Sequence, residues 1–124
     1  MEFKGTPGPW MATEYYANST DVVDSNGFSH VSATNLAVLS GWHEKGYRHW
    51  SDSEKAHRKI PREEQRANAR LIAAAPDLLY SLQKLLTEYK FTRSQLNGDT
   101  EEDLVDVLCV SNAMAAINKA LGRE

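Results

Sequence analysis

The segment Trp42-His-Glu-Lys-Gly-Tyr-Arg-His-Trp50, with the basic run after it, holds most of the side chains able to do chemistry. Lysine and arginine can hold phosphate or carboxylate, and aromatic rings can stack on bases. Residues 42–70 carry Lys45, Arg48, Lys55, Arg58, Lys59, Arg62, Arg66 and Arg70 against five acids, Glu44, Asp52, Glu54, Glu63 and Glu64. That stretch is +3 in a chain of net charge −3, so the remainder is −6. A basic, aromatic-rich island in an acidic chain predicts a local site for an anionic group, not a general polyelectrolyte surface. Arg48, Lys55, Arg58, Lys59 and Arg62 are its candidate phosphate contacts, and Trp42, Tyr47 and Trp50 its candidate stacking rings. The same mixture of Trp, Tyr and Arg also builds protein–protein hot spots. It equally fits a solvated loop whose Trp42 and Trp50 fold back on the sheet.

Other chemistries find less support. His43, His49 and His57 are six and eight residues apart, without the tight pairs that tetrahedral zinc sites use. No metal and no cofactor is expected. Cys109 lies between Leu108 and Val110, where a small buried apolar role is the ordinary reading. Ser40-Gly41 lacks the context of a nucleophile elbow. Glu63-Glu64 and Glu101-Glu102-Asp103 are explained as helix N-terminal charges, without general acid–base work. The seven glycines are scattered and form no phosphate loop. These absences read against an enzyme. His30, on the sheet face with Val23 and Phe28, reads as a half-buried packing residue.

The elements that must position these groups follow from local patterns. Thr6-Pro-Gly-Pro-Trp10 is a rigid entry turn. Trp10 to Tyr16 alternates as a strand, with Met11, Thr13 and Tyr15 on one face and Ala12, Glu14 and Tyr16 on the other. Asn26-Gly27 between Asp21–Ser25 and Phe28–Val31 predicts a hairpin with a type I′ turn. That turn pairs Ser25 with Phe28, Val23 with His30 and Val22 with Val31. Leu36–Ser40 is a further strand. Ser51-Asp-Ser-Glu54 has capping-box spacing and predicts a short helix ending before Pro61. A helix then begins at Arg62 with Ala67, Leu71, Ala74 and Ala75 as its buried stripe. Pro76 predicts a kink or a fresh start, after which Leu78, Leu79, Leu82, Leu85, Leu86 and Tyr89 continue the pattern. Asn97-Gly98-Asp99 is a turn, Thr100 caps a last helix, and Gly122 ends it. Leu104, Val107, Leu108, Met114, Ile117 and Leu121 form that helix's apolar side.

The fold class is therefore α+β: an N-terminal antiparallel sheet of three or four strands, then two to three helices, the last two as a helical hairpin. The 124 residues, 41% hydrophobic and 25% charged, fit a single domain over 1–124. Residues 1–42 form its sheet part, 43–61 a basic aromatic loop and 62–124 its helical part. One cysteine makes no internal disulfide, which reads as a reducing compartment. Met1 to Trp10 has no apolar h-region, against a secretory signal. No apolar run approaches the ~20 residues of a membrane span, so no membrane partner is expected. The modest core and the wide leucine stripe after Pro76 predict a homodimer or higher homo-oligomer.

Two stretches, Thr6-Pro-Gly-Pro-Trp10 and Asn68-Ala-Arg-Leu-Ile-Ala-Ala-Ala-Pro-Asp-Leu-Leu79, resemble a large group of small phage and prophage proteins of unassigned function. Many members pass from the last strand to the helix through a short acidic loop, whereas residues 43–61 here are long, basic and aromatic. The resemblance implies a bacteriophage accessory protein in the cytoplasm of the infected bacterial host. It implies the class-level role of countering a host defence or adjusting host machinery.

Three functional readings follow. The first is a non-enzymatic phage binding protein that sequesters a small, cyclic nucleotide signal. The second is an inhibitor that binds a host or phage protein directly. The third, nucleic-acid binding, conflicts with the −6 balance outside residues 42–70, which repels a long polyanion.

Overall fold

A computed structural model describes residues 3–16 and 19–123 of the chain. The predicted facing of Tyr15 and Tyr16 falls outside the described side chains. The element order is β1 (Met11–Tyr16), β2 (Ser19–Val23), β3 (Ser29–Thr34), β4 (Leu36–Val38), a 3-10 turn (Trp50–Asp52), β5 (His57–Lys59), α1 (Arg62–Asn97), α2 (Glu101–Leu104) and α3 (Leu108–Ala120). This is an α+β architecture. The chain divides into two compact units, Pro9–Ala74 and the segment through Gly8 with the chain from Ala75 onward.

In the first unit, β1, β2 and β3 form an antiparallel sheet in that order. Val22 pairs with Val31 as the hairpin spacing predicts, but Val23 pairs with Ser29 across a register shift. The turn explains the difference. Type I′ needs positive φ at both central residues, whereas only Gly27 has it, at 86°. Asp24 organises the turn instead. Its Oδ1 accepts from the Asn26 and Phe28 N–H groups at 2.9 and 3.0 Å, and its carbonyl accepts from Gly27 N–H at 3.0 Å. The loop is thus one residue longer, with Gly27 supplying the left-handed step. His30 is exposed rather than half-buried; its Nε2 lies 2.9 Å from Asp24 Oδ2 and its ring stacks beside Trp10. The His30 hydrogen bond, followed by the two N–H groups, holds the Asp24 carboxyl below its usual range.

The sheet is covered by the first turns of α1. Val22, only 1% exposed, packs with Ala69 and Ala73, and Trp10, Ala12, Ala33 and Ile72 surround them. The buried stripe of α1 therefore runs through Gln65, Ala69 and Ala73, not Ala67 and Leu71, which are exposed. Small residues face the sheet because they let helix and strands approach closely. Gln65 is buried, its Nε2 donating to the Ala33 carbonyl at 2.7 Å and its Oε1 accepting from Arg62 at 2.9 Å.

The fourth predicted strand forms, but outside this sheet. β4 pairs antiparallel with β5, Ala37 opposite Arg58. β5 occupies residues expected to be loop or short helix; the Ser51 signal produces only the 3-10 turn. Ala56 and Ile60 bury the ends of this ladder.

In the second unit α1 continues helical through Pro76 to Asn97, so no fresh helix starts at Asp77. Thr100 caps α2 with a full capping box to Asp103. The predicted single last helix is interrupted at Val105–Val107, giving α2 and α3. Leu104, Val110 and Ile117 are its buried residues, while Leu108 and Cys109 are exposed, contrary to the predicted apolar side. α3 returns beside α1: Lys90 shares a groove with Val110, and Gln83 and Leu86 share one with Ile117. Ion pairs Lys90–Glu101 (3.0 Å) and Arg93–Asp99 (2.7 Å) close the turn. Gly8 lies so close to Pro76 that a Cβ there would stand 2.9 Å from the proline Cβ.

Replacing Gln65 by alanine removes the buried amide that donates to the carbonyl of half-buried Ala33 and should cost about 1–3 kcal/mol in urea titration of the full chain. Ala67→Gln, on the exposed side of the same turn, should stay within about 0.5 kcal/mol of the parent. Equal effects of the two would contradict the observed helix orientation.

Candidate functional site

The basic aromatic segment is an excursion between β4 and β5. Its two ends are tied by Leu39 N–H to the Ala56 carbonyl at 2.8 Å and by Ile60 N–H to the Asn35 carbonyl at 2.7 Å. Between them the backbone turns tightly, Tyr47 N–H donating to the Trp42 carbonyl at 3.2 Å and Gly46 N–H to the His43 carbonyl at 3.1 Å. His49 caps the 3-10 turn: its Nδ1 accepts from Ser51 N–H at 3.2 Å and from Ser51 Oγ at 2.6 Å. His57 is oriented oppositely, with Nδ1 donating to the Trp50 carbonyl at 3.0 Å. The two histidines thus use their Nδ1 atoms in opposite roles.

The rings form a continuous series. Centroid separations are 5.8 Å for His43–Trp42, 5.5 Å for Trp42–His49, 5.0 Å for His49–Trp50 and 5.7 Å for Trp50–His57, mostly edge to face. Such pairs stabilise the loop beyond area burial alone. Trp42, Tyr47 and Trp50 are each half-buried, so part of each ring remains open to solvent. The three histidines, read from sequence as dispersed, are structural members of this series. In sequence the signal is limited to the adjacent pairs Trp42-His43 and His49-Trp50.

The predicted cations are not equivalent. Arg58 makes a two-pronged contact with Glu64, at 3.1 and 2.7 Å. Arg62 donates to Gln65 and lies 3.5 Å from Glu14. Arg66, outside the predicted set, holds Glu14 at 2.6 Å. Arg58 and Arg62 are therefore already engaged by carboxylates, whereas Arg48, Lys55 and Lys59 are exposed with no ion-pair partner among the described residues. Lys55, His57 and Arg58 line a shallow groove of about 350 Å³ with Glu54 and Ala37–Leu39. Trp42, Tyr47, Arg48 and Trp50 do not line it, so the predicted site residues fall into an aromatic group and a separate basic rim. Among the described residues no group of three His, Cys, Asp or Glu side chains could hold a metal ion. No helix of the described chain is long and apolar enough to cross a membrane.

The family model of Salmonella phage P22 protein Y8K6 matches residues 1–124. The chain belongs to that phage protein family. No curated protein and no solved structure matches it. Within this family assignment, the site described above is the concentration of exposed basic and aromatic chemistry on the β4–β5 ribbon.

Two carboxyls held by arginines, Glu64 and Glu14, titrate low. The Arg58 hydrogen bond holds Glu64 below the ordinary glutamate range, and the Arg66 hydrogen bond does so for Glu14. A carboxyl lowered in the folded state contributes stability above its unfolded pKa and loses it as pH falls through the folded value. Arg58→Ala should therefore return the Glu64 midpoint toward the ordinary range in a carboxyl-carbon NMR titration while leaving Glu14 low. A Glu64 midpoint that stays depressed would show that another group holds it.

Proposed function

We propose that the chain is a phage-encoded, non-enzymatic binding protein whose recognition surface is the 42–59 excursion and whose partner is a host protein with an acidic surface. The observation that carries this reading is the commitment of the site's own groups. Arg58 is held by Glu64 and Arg62 by Glu14 and Gln65, and Trp42, His49, Trp50 and His57 pack on one another. What remains is a half-buried aromatic group, with Arg48, Lys55 and Lys59 exposed and without ion-pair partners among the described residues. A pre-packed aromatic group with exposed cations on the same excursion suits a protein face better than the enclosed phosphate clamp that a small nucleotide needs. Membership of a phage protein family supports a phage-encoded role; interference in a host defence is the effect proposed with it.

The nucleotide reading keeps one specific support, the groove where Lys55 and Arg58 lie together. Its volume falls in the range of small-ligand sites, although Glu54 and the Glu64 partner of Arg58 oppose an anion there. Sequestration of a cyclic nucleotide would operate through this groove.

The immobilised full chain should retain a stoichiometric host protein, and Lys55→Glu with Lys59→Glu should abolish retention without changing the circular dichroism spectrum. Retention that persists in this double variant would refute the assigned surface. Cyclic di- and trinucleotides and cyclic ADP-ribose isomers should leave the melting temperature unchanged. Binding at 100 times Kd would stabilise the fold by ~2.7 kcal/mol, so a clear upward shift would favour sequestration over a protein partner.

A further inference from the structure

The helical unit sets unpaired charge over an apolar floor. Where the C-terminal end of α3 lies beside α1, the two helices leave a groove of about 580 Å³. Half-buried Leu86 and buried Ile117 supply its apolar lining. Tyr80, 66% exposed, adds an open ring. The volume lies in the range of small-ligand sites.

Two cations reach this groove from separate elements. Lys84 comes from α1, four residues after Tyr80 and four before Glu88, so all three lie along one side of the helix. Arg123 comes from beyond the end of α3, where its backbone is fixed. Gly122 takes a left-handed step, with φ of 70°. Its N–H donates to the Lys119 carbonyl at 3.2 Å, and the Arg123 N–H donates to the Asn118 carbonyl at 2.8 Å. This is the closure that a C-terminal glycine permits, and it holds Arg123 at the groove. Lys84, Arg123 and Glu88 have no ion-pair partner among the described residues. Thr87, also in the lining, spends its hydroxyl on the Gln83 carbonyl at 3.0 Å. The charged groups of the groove are thus two cations and one carboxylate, a balance of +1.

Charge and lining together select the ligand. An arginine and a lysine can hold one carboxylate between them, the arginine through two parallel N–H groups. A single negative charge matches the balance of +1, whereas a phosphate monoester near −2 sets its excess against Glu88. Leu86 and Ile117 offer no hydrogen bond, so the rest of the ligand must be apolar.

We propose that this groove binds a small amphipathic monocarboxylate, its head between Lys84 and Arg123 and its apolar body on Leu86 and Ile117 beside the Tyr80 ring. The site is separate from the 42–59 excursion and stands whether or not that surface binds a host protein.

Octanoate titrated into the isotope-labelled full chain should shift NMR amide signals saturably within 80–88 and 117–123 and leave those of 42–59 in place. Octanol, the same tail without the charge, should bind on the order of tenfold more weakly. Octyl phosphate should bind no more tightly than octanoate. Lys84→Ala with Arg123→Ala should lower octanoate binding to the octanol level with an unchanged circular dichroism spectrum. Lys119→Ala, on α3 but outside the lining, should leave it unaltered. Shifts that scatter over the chain or never saturate overturn the proposal. So does octanol binding as tightly as octanoate, octyl phosphate binding more tightly, or a double variant that keeps the parent affinity.

Discussion

The close approach of α1 to the three-stranded sheet governs everything else in the Pro9–Ala74 unit. Ala69 and Ala73 present nothing beyond Cβ to Val22, and the helix settles near enough for the Gln65 amide to reach the Ala33 carbonyl. Once that distance is set, Arg62 and Arg66 flank Glu14 on β1, tying the first turns of the helix to the sheet. A larger residue at Ala69 would push the helix outward and break the amide contact before any surface pair was strained. The polar contacts are thus consequences of a small-residue interface and act as its register marks.

Local chemistry was readable wherever a residue satisfies its own neighbours. Thr100 with Asp103, the acids in the first turn of α1 and the stop at Gly122 all stand where their types place them, since caps answer to orphan backbone groups a few residues away. The hairpin at Asn26-Gly27 was readable in position but not in turn type. Asp24, two residues upstream, takes two N–H groups that the simple dipeptide rule ignores. The buried side of α1 was misread in phase, because Ala67, Ala69, Ala73, Ala74 and Ala75 put alanines on several faces and only packing against Val22 selects Ala69 and Ala73. β5 was unreadable: Lys55 to Lys59 has no strand alternation, and its pairing with β4 is settled across the whole excursion.

The candidate site shows the same division. Its residue types and its place in the chain were evident from composition. The pairing state of each cation was not, because Glu64 and Glu14 reach Arg58 and Arg62 only after α1 is seated. The histidines were dispersed by metal-spacing rules, yet they intercalate with Trp42 and Trp50 as ring neighbours. Spacing rules test for convergence on one point, and this arrangement is a line.

The β4–β5 ribbon has a consequence for how the chain tolerates change. It stands in its own two-stranded sheet, and its hydrogen bonds at Leu39–Ala56 and Asn35–Ile60 close the excursion at its base. Closure cost grows slowly with loop length, so material between Leu39 and Ala56 can lengthen, shorten or change charge while the three-stranded sheet and the seat of α1 keep their contacts. The ribbon therefore behaves as an exchange point, where one segment can replace another at little expense to folding. A shorter or differently charged segment would be another filling of the same socket.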